Sequence, residues 1–420
     1  MQVDATNVER SARQALDQGD PERAVFLARE AVRHAPGMWQ PVHTLALSFE
    51  KLQRYDVAAV CFRQTLQLCP GHPDAHVQLM GALLREGRAL DAEAEAYQRL
   101  RQHPYCTGTW CNLGLALRQQ RRTAEAIAAY RTGLQHAPQD ASLHWNLSLA
   151  LLAAGEFKEG WREFEWRVAA GISPATMRDE PLWQGEPLEG KSLLLETEQG
   201  LGDTIQFLRY APWLEQQGAR VVVDCQLRLR PLCGRWLAQE PIDYDFRAPL
   251  MSLPLLTGGV VPCYDSYLEA RAAELGEGFK IGLCWSGNPA NVNDRFRSIP
   301  FDLLSPLTAR NDVRWFLLDQ KPGDTVGQLA STLCGLDLVI SADTMVAHLA
   351  GALGRPVWTL LSYAPDWRWL DEGDSSSWYR TMRLFRQTSP GDWKGVIERV
   401  SGALSSALAV KAFDRSDCVR

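Results

Sequence analysis

The sequence predicts an α-solenoid in the first half of the chain and an α/β fold, with two Rossmann-like halves that face a cleft, in the second half. Two observations carry this prediction. In the first half, prolines recur every 34 residues, each after a helical pattern, at Pro36, Pro70, Pro104 and Pro138. In the second half, short apolar segments alternate with helical patterns, which is typical of parallel sheets.

Composition narrows the class of protein. A chain of 420 residues is long enough for two or three domains. Its net charge of −6, without a basic stripe, argues against nucleic-acid binding. The polar N-terminal stretch does not fit a signal peptide, and no apolar run reaches the roughly 18 residues of a membrane helix. The ten cysteines are scattered without a C-x-x-C pair, so we expect reduced thiols and a cytoplasmic location.

The proline period belongs to a helix-pair repeat. Residues 107–140 show its pattern best, with these side chains at the repeat's preferred positions: Trp110, Leu113, Gly114, Ala126, Tyr130 and Pro138. Period and pattern resemble the tetratricopeptide repeat. Ala24, Ala58 and Ala92 stand where the two helices of a repeat cross closely. We predict about five repeats over residues 1–172, the last being a capping repeat that docks onto the second half of the chain.

A solenoid of this kind has a concave face that commonly holds an extended peptide. Asn112 and Asn146 occupy the groove-facing position of two successive repeats. In the protein O-linked N-acetylglucosaminyltransferase family, which shares the repeat, stacked asparagines there bind the peptide backbone, so the resemblance implies the same role here. An amide can donate and accept at once. Alternatively, both are solvated surface residues; Gln78 and Thr44 at the same position make any ladder short.

Beyond a polar connector, we predict two α/β units at 173–275 and 276–408, and a tail at 409–420. The predicted strands of the first unit are SLLLE and RVVVDC, and those of the second are FKIGLC, VRWFLLD, LDLVIS and PVWTLLS. These runs are short and apolar or β-branched, as buried parallel strands are. The apolar pattern KGVIERVSGALSSALAV predicts a last helix that closes the fold.

A glycine-rich turn follows the first strand. Gly200 and Gly202 allow a tight turn and close approach to a ligand. Ile205 stands where a dinucleotide-binding fingerprint requires glycine or alanine, which argues against nicotinamide cofactors. Asp203 has two interpretations, which the residues alone leave open. It is either a helix N-cap that accepts from first-turn amides, or a carboxylate aimed into the cleft as a general base.

Two stretches of the second unit suit an anion. Ser286, Gly287 and Asn288 form a small-residue loop with Arg297 close behind, a combination suited to phosphate oxygens. A plain surface loop is the alternative.

The second stretch is ISADTMVAHLAGALGRPVW. It places Asp343 and Thr344 at a strand end and a helix N-terminus, where ligands of doubly wound sheets bind. His348 lies one turn into that helix, where it either reaches a phosphate or fills the core.

These motifs together resemble a known family. They are EQGLGDTIQFLRYAPWL, APLMSLPL, IGLCWSGNP followed by DRFRSIP, DLVISADTMVAHLAGALGRPVWTLLSYAPDWRW, and SSWYRTMRLFRQ. They look like the bacterial glycosyltransferases with N-terminal tetratricopeptide repeats, whose C-terminal halves resemble lipopolysaccharide heptosyltransferases of the GT-B fold. The resemblance covers nearly all of the chain beyond about residue 140. It implies transfer of a sugar from a nucleotide-sugar to an acceptor hydroxyl, with inversion and without a metal or resident cofactor.

The resemblance also implies roles for residues. Asp203 matches the family's catalytic base. Met345 stands where the heptosyltransferases have glycine in the stretch that wraps the donor diphosphate. The donor-binding residues that we predict are Gly200, Gly202, Ser286, Gly287, Asn288, Arg297, Asp343, Thr344, Met345 and His348. The aromatic stretch from Tyr363 to Trp369 either shapes the sugar pocket or belongs to the core.

Three functions remain open. Segments 232–249 and 318–325 look shorter than in the family, so the alternative to an active transferase is a repeat-based scaffold with an inactive transferase half. A third possibility is a peptide-binding adaptor that uses the repeats alone.

Asp243-Tyr244-Asp245 has the D-x-D form of a metal motif but lacks a strand-end context, and we expect no metal there. The expected partners are a nucleotide-sugar and a protein acceptor, such as flagellin or another surface protein; a glycan acceptor stays open.

Overall fold

The computed structural model describes residues 4–174, 179–237, 243–291, 293–318 and 325–417, with side chains as far as residue 409. Parts of both segments predicted to be shortened, 238–242 and 319–324, lie outside the described residues. The chain forms two compact units, Met1–Ala150 and Leu151–Arg420. No described helix is long and apolar enough to cross a bilayer.

The first unit consists of helices joined by short turns. They are α1 Ala5–Asp17, α2 Pro21–His34, α3 Trp39–Lys51, α4 Tyr55–Leu68, α5 Ala75–Arg85, α6 Ala89–Gln102, α7 Thr107–Gln119, α8 Thr123–His136 and α9 Ala141–Ala153. Each even-numbered helix among the first eight ends two residues before one of the periodic prolines. Because proline cannot continue a helix, it fixes the length of each repeat.

Small residues let the helices of each repeat approach closely. Ala24, Ala58 and Ala92 are completely buried, as the pattern predicts. Gly114 of α7 is the tightest of these positions, because a Cβ there would lie 2.2 Å from the Tyr130 ring of α8. The repeat pattern therefore reflects the small side chains that close packing of the two helices requires.

The second unit begins within the fifth predicted repeat. Its first complete helix is α10, Phe157–Phe164. Trp161 of α10 is buried and packs edge-on against Phe207 and Trp367, at centroid distances of 6.1 and 5.2 Å. The repeat pattern predicts a boundary at residue 172, but the first compact unit ends at Ala150, because these aromatic side chains belong to the core of the second unit.

Two parallel sheets form the centre of the second unit. The first has the order β2-β1-β3, with β1 Ser192–Glu196, β2 Arg220–Asp224 and β3 Phe246–Pro249. The second has the order β5-β4-β6-β7-β8, with β4 Lys280–Cys284, β5 Arg314–Leu317, β6 Leu338–Ala342, β7 Val357–Leu361 and β8 Met382–Arg386. All of the paired strands are parallel. The six predicted strands are present, and β3 and β8 are additional.

Helices connect and cover these strands. They are α11 Leu201–Phe207, α12 Tyr210–Gln216, α13 Arg230–Cys233, α14 Leu253–Leu256, α15 Asp294–Arg297, α16 Ser305–Thr308, α17 Val326–Gly335, α18 Met345–Ala352 and α19 Trp393–Asp417. Short 3-10 turns lie at Glu165–Arg167, Leu227–Leu229, Gly234–Trp236, Leu250–Ser252, Phe301–Leu304 and Trp367–Trp369. Helix α19 closes the fold as predicted, but it continues to Asp417, so the backbone of the predicted tail is helical as far as it is described.

The core of the larger sheet lies under α19. Ile281 of β4 and Ile340 of β6 pack in one cluster with Val396, Ile397 and Val400 of the helix, all of them almost fully buried. Burial of each such side chain contributes roughly 2 kcal/mol. The shared register aligns the carboxyl ends of the strands, since Cys284 is the partner of Ser341. The loops that follow β4 and β6 therefore leave the sheet at the same edge.

Candidate functional site

A cavity of about 850 Å³ lies in the second unit where β1, β4 and β6 end. Its wall is made largely by the segments that follow these three strands. Every residue predicted for catalysis or donor binding lines it: Gly200, Gly202, Asp203, Ser286, Gly287, Asn288, Arg297, Asp343, Thr344, Met345 and His348. The folding of the chain thus brings together residues that are far apart in sequence.

The start of α18 forms one side of the cavity. Thr344 is its N-cap, and its Oγ1 accepts a hydrogen bond from the Val346 amide at 3.2 Å. A second contact joins the Thr344 and Ser341 hydroxyls at 3.2 Å. Met345, which stands where the heptosyltransferases have glycine, is partly buried and lines the cavity. A helix N-terminus beside polar strand ends favours a negatively charged ligand.

Asp203 is not the N-cap that one of its two interpretations predicted, and its role as a general base stays a prediction. It lies in the first turn of α11, whose N-cap residue is Gly200, not Asp203. Its Oδ2 accepts from the Gly200 amide at 2.9 Å, which closes the helix start. Its Oδ1 accepts from Nη2 of Arg368. The carboxylate therefore stabilises the helix end and still faces the cavity.

Arg368 lies in the aromatic stretch from Tyr363 to Trp369, whose role the sequence left open, and the sequence did not single it out as a site residue. Its side chain is 9% exposed and lines the cavity. Nε donates to Gln206, Nη1 donates to Asp366 Oδ1 at 2.8 Å, and the guanidinium stacks over Trp367. Burial opposes the charged form, but Asp366 and Asp203 outweigh it and raise the pKa of Arg368. The side chain is therefore a permanent cation inside the cavity.

The loop after β4 is held by a short chain of hydrogen bonds. The Gly287 amide donates to Ser298 Oγ at 3.0 Å, and that hydroxyl donates to Asp294 Oδ2 at 2.8 Å. Asp294 Oδ1 accepts from Nε of Arg297 at 3.2 Å. A Cβ on Gly287 would lie 2.3 Å from Asp294 Oδ1 and 2.8 Å from Arg297 Nη2, so a side chain there would displace this ion pair. These hydrogen bonds hold the loop and the Arg297 side chain in a fixed relation to each other.

The pKa of the Asp343 carboxyl is raised above its usual value. Burial, followed by the charge of Asp366, raises the pKa of Asp343 to about 6. Arg297 and Arg368 act in the opposite direction. A carboxyl that titrates near neutral pH inside a cavity is a common feature of functional sites. Its charge depends on pH in the physiological range.

His348 is buried beneath the start of α18. Its Nδ1 lies 3.0 Å from the Tyr379 hydroxyl, and its ring stacks on Trp369 at 5.3 Å. Burial, then the nearby cations led by Arg368, hold the pKa of His348 well below its usual range. The imidazole is neutral near pH 7. A phosphate contact by His348 would therefore be a neutral hydrogen bond.

The glycine-rich turn has a buried anchor that the sequence did not reveal. Arg167 donates to both carboxylate oxygens of Glu198, at 3.1 and 3.0 Å. It also donates to Ser252 at 2.7 Å. A bidentate pair of this kind fixes direction as well as distance. The turn that carries Gly200 to Asp203 is thus held at its first residue.

The asparagines predicted to bind peptide take part in the packing of the first unit. Asn112 is 9% exposed, and its Nδ2 donates to the Val77 carbonyl of α5 at 2.9 Å. Asn146 Nδ2 donates to the Ser142 carbonyl at 2.8 Å and contacts Cys111 Sγ at 3.3 Å. Asn112 is therefore not a solvated surface residue. Binding of peptide by either side chain stays a prediction.

The D-x-D segment lies away from the cavity. Asp245 accepts from Lys191 Nζ at 2.9 Å and from the Ser192 amide at 2.8 Å, at the amino end of β1. The cavity lies near the carboxyl end of the same strand. The Asp245 carboxylate stabilises the start of the sheet. Among the described residues, no group of three or more His, Cys, Asp or Glu side chains could hold a metal ion.

Comparison with known families decides the nature of the first half. The tetratricopeptide repeat model matches residues 43–105 and 111–160. The first half of the chain carries tetratricopeptide repeats. Repeats of this class commonly serve as protein-interaction scaffolds.

One curated relative is Protein FlbA from Caulobacter vibrioides, which is 27% identical over 354 residues. The match covers 68% of this chain and 58% of FlbA, so the chain spans less than two thirds of that relative.

Solved structures with similar parts are also tetratricopeptide-repeat proteins. MamA from Desulfovibrio magneticus RS-1 is 20% identical with a TM-score of 0.36, covering 41% of this chain and 97% of that one. TTC0263 from Thermus thermophilus is 18% identical with a TM-score of 0.34, covering 40% and 91%. YrrB, described as a TPR protein with an unusual peptide-binding site, is 14% identical with a TM-score of 0.33, covering 40% and 86%.

Proposed function

We propose that this chain is an inverting, metal-independent glycosyltransferase that moves a sugar from a nucleotide-sugar to an acceptor hydroxyl. The observation that carries the proposal is the meeting of a carboxylate, Asp203, with an anion-binding wall in one cavity. That wall consists of the α18 N-terminus, Arg297 and Arg368. The two parallel sheets would then be the two halves of a GT-B fold.

The size and position of the cavity suit such a ligand. Its volume of about 850 Å³ falls in the usual range for small-molecule sites. It lies beyond the carboxyl ends of parallel strands, where doubly wound sheets bind nucleotides. Polar backbone and hydroxyl groups lie on one wall, and Leu201 and Val346 provide apolar surface. A nucleotide-sugar has the matching mixture of charged and apolar parts.

The proposed chemistry divides between two walls. Asp203 takes the proton of the acceptor hydroxyl as that oxygen attacks the anomeric carbon, which gains positive charge as the bond to the diphosphate breaks. The departing diphosphate gathers negative charge. Amides at the start of α18 and the Arg297 guanidinium stabilise that charge by position, which takes the place of a metal ion.

The acceptor that fits this architecture best is a protein. The repeats of the first unit belong to a class that binds extended peptides, and they would hold the polypeptide that receives the sugar. A cytoplasmic location is part of the same proposal, since nucleotide-sugars are made there. Asn112 and Asn146 lie on the repeat face predicted to contact that peptide.

The test is direct. The full-length protein is incubated with uridine, guanosine, cytidine, adenosine and thymidine diphosphate sugars and with an extract of acceptor proteins, and released nucleoside diphosphate is measured. We expect release with at least one donor, reduced about 10²- to 10⁴-fold in Asp203→Asn. Asp312→Asn, which alters an exposed ion pair with Arg310, is the matched control and should keep full activity. Binding of no donor would overturn the proposal.

One observation favours a second function. Both oxygens of the proposed base already accept a hydrogen bond, Oδ1 from Arg368 and Oδ2 from the Gly200 amide. In a scaffold with an inactive transferase half, the contact between Arg368 and Asp203 would be permanent. It predicts that nucleotide-sugar binds without turnover, and that Asp203→Asn leaves the biological role of the protein intact.

A further inference from the structure

We infer that Arg368 is a positioning residue that exchanges partners, holding Asp203 until a donor diphosphate binds and then turning to the diphosphate. This inference rests on the proposed function, because it concerns the same cavity. It gives the ion pair a role in the reaction cycle. It also links donor binding to the hydrogen-bond partners of the carboxylate that is proposed as the base.

The first argument is the position of the guanidinium. Arg368 contacts Asp203 of the first turn of α11. It is also close enough to Asp343, at the end of β6, to influence its ionisation. One cation therefore stands between the carboxylate proposed as base and the strand end proposed to bind diphosphate.

The second argument is how the arginine is held. Two of its contacts, Nε to Gln206 and Nη1 to Asp366, leave the bond from Nη2 to Asp203 as a separate arm. Stacking over Trp367 at 4.4 Å supports the guanidinium plane. Loss of the Asp203 contact leaves these other supports in place. Arginine is suited to such an exchange, because its fork binds carboxylate and phosphate in the same geometry.

The third argument is charge balance. Asp203, Asp343 and Asp366 all line the cavity that the diphosphate would enter. Arg297 is already paired with Asp294. A diphosphate entering this space meets carboxylates, so its binding requires a cation that turns to the phosphate oxygens. Arg368 contacts two of these carboxylates at once, so it can turn from Asp203 to the diphosphate and stay paired with Asp366.

The exchange predicts an ordered reaction. Donor binding turns Nη2 toward a phosphate oxygen, and Oδ1 of Asp203 loses its hydrogen bond. Oδ1 then faces the acceptor hydroxyl without the arginine beside it, so we expect donor binding to precede acceptor binding. Asp203 and the diphosphate thus compete for one guanidinium.

Competition gives an unusual prediction for binding. The dissociation constants of inorganic pyrophosphate and of uridine, guanosine, cytidine, adenosine and thymidine diphosphates are measured by calorimetry with full-length protein. Asp203→Asn should bind the preferred ligand about three- to tenfold more tightly than wild type, because a weaker competitor holds Arg368. Arg368→Met should bind it at least tenfold more weakly.

A double variant separates competition from a general charge effect. If Arg368 mediates the gain, Asp203→Asn should produce no tightening in the Arg368→Met background. Tightening of the same size in both backgrounds would overturn the inference, as would no tightening in either. Asp302→Asn, an exposed carboxylate that does not line the cavity, is the control for net charge. Circular dichroism confirms that each variant is folded.

The two proposals fail in different ways. If wild type binds none of these ligands, both the proposed function and the exchange are overturned. If wild type binds one of them and Asp203→Asn does not tighten it, the exchange alone fails and the transferase proposal stands. Lysine at position 368 adds a further readout. Arg368→Lys keeps the charge but loses the fork, so it should restore part of the affinity and less of the turnover.

Discussion

Gly202 of α11 lies directly against His348 of α18: a Cβ on Gly202 would be 3.1 Å from His348 Cδ2 and 3.7 Å from the Met345 Cα. The absence of a side chain at Gly202 lets the first turn of one helix rest on the start of the other. That contact sets the distance between Asp203 and the α18 N-terminus. The glycine-rich turn therefore matters for the relation between the base and the anion-binding wall.

Gly202→Ala should separate these two helix ends. The added Cβ would press on the buried His348 ring at 3.1 Å, so we expect a change of up to about 1 kcal/mol in stability and a lower affinity for nucleoside diphosphate. Denaturant unfolding and calorimetry measure the two effects. Gly234→Ala is the matched control, since a Cβ there meets nothing within 4 Å. Unchanged binding in Gly202→Ala would show that the helix contact does not shape the site.

The ionisation of Asp343 predicts a pH dependence. Its pKa is raised from 3.8 to about 6, so between these values the folded protein binds more protons than the unfolded chain. The contribution to stability is fully present below about pH 4 and is lost as pH rises through 6. Asp343→Asn should therefore be more stable than wild type at pH 7.5, by about 1–2 kcal/mol, with a smaller difference at pH 4.5.

The same carboxyl should affect ligand binding. Ionised Asp343 repels a diphosphate, so wild type should bind inorganic pyrophosphate more weakly relative to Asp343→Asn at pH 7.5 than at pH 5.5. Comparing the two proteins at each pH removes the ligand's own titration. Equal ratios at both pH values would contradict the assignment.

In the first unit, Gly114 tests whether close packing of the two helices of a repeat requires a small residue. Gly114→Ala places a Cβ 2.2 Å from the Tyr130 ring, and we expect a loss of roughly 1–3 kcal/mol. Gly81→Ala, in α5, is the matched control, because a Cβ there meets nothing within 4 Å. It should stabilise its helix by up to about 1 kcal/mol. If denaturant unfolding shows changes of opposite sign in the free energy of unfolding, the requirement for a small residue at Gly114 is confirmed. Equal changes in the two variants would refute it.

A pair of buried histidines should make the repeats sensitive to acid. His43 and His72 lie 4.4 Å apart between ring centroids, and burial lowers the pKa of each. Their contribution to stability is present above about pH 6.5 and is lost as pH falls toward the lowered values. His43→Gln should show a smaller loss between pH 7 and pH 5 than wild type. His34→Gln, on an exposed site, should behave like wild type.

Most of the architecture could be predicted because it depends on local patterns. The proline period identifies the helix pairs, and short apolar runs identify six strands. Strand β3 was not predicted because it has only four residues and ends in Pro249. Strand β8 was not predicted because Arg383 and Arg386 interrupt its apolar pattern. Both strands are identified only by their neighbours in the sheet.

The site residues could be predicted where they follow a strand end or a glycine turn. Arg368 could not, because its partner Asp203 is 165 residues away and the ion pair exists only after folding. Burial likewise decided the neutral state of His348 and the anchoring role of Arg167. Residue type and spacing contain little information about either.

The most direct test of the central claim is calorimetric titration of the full-length protein with the nucleotide-sugar panel, followed by measurement of nucleoside diphosphate release with acceptor protein present. The account predicts that one donor binds in the cavity, that Arg297→Ala and Arg368→Met weaken it, and that Asp203→Asn binds it but releases at least a hundredfold less diphosphate. Binding of no nucleotide-sugar, or undiminished release by Asp203→Asn, would contradict it.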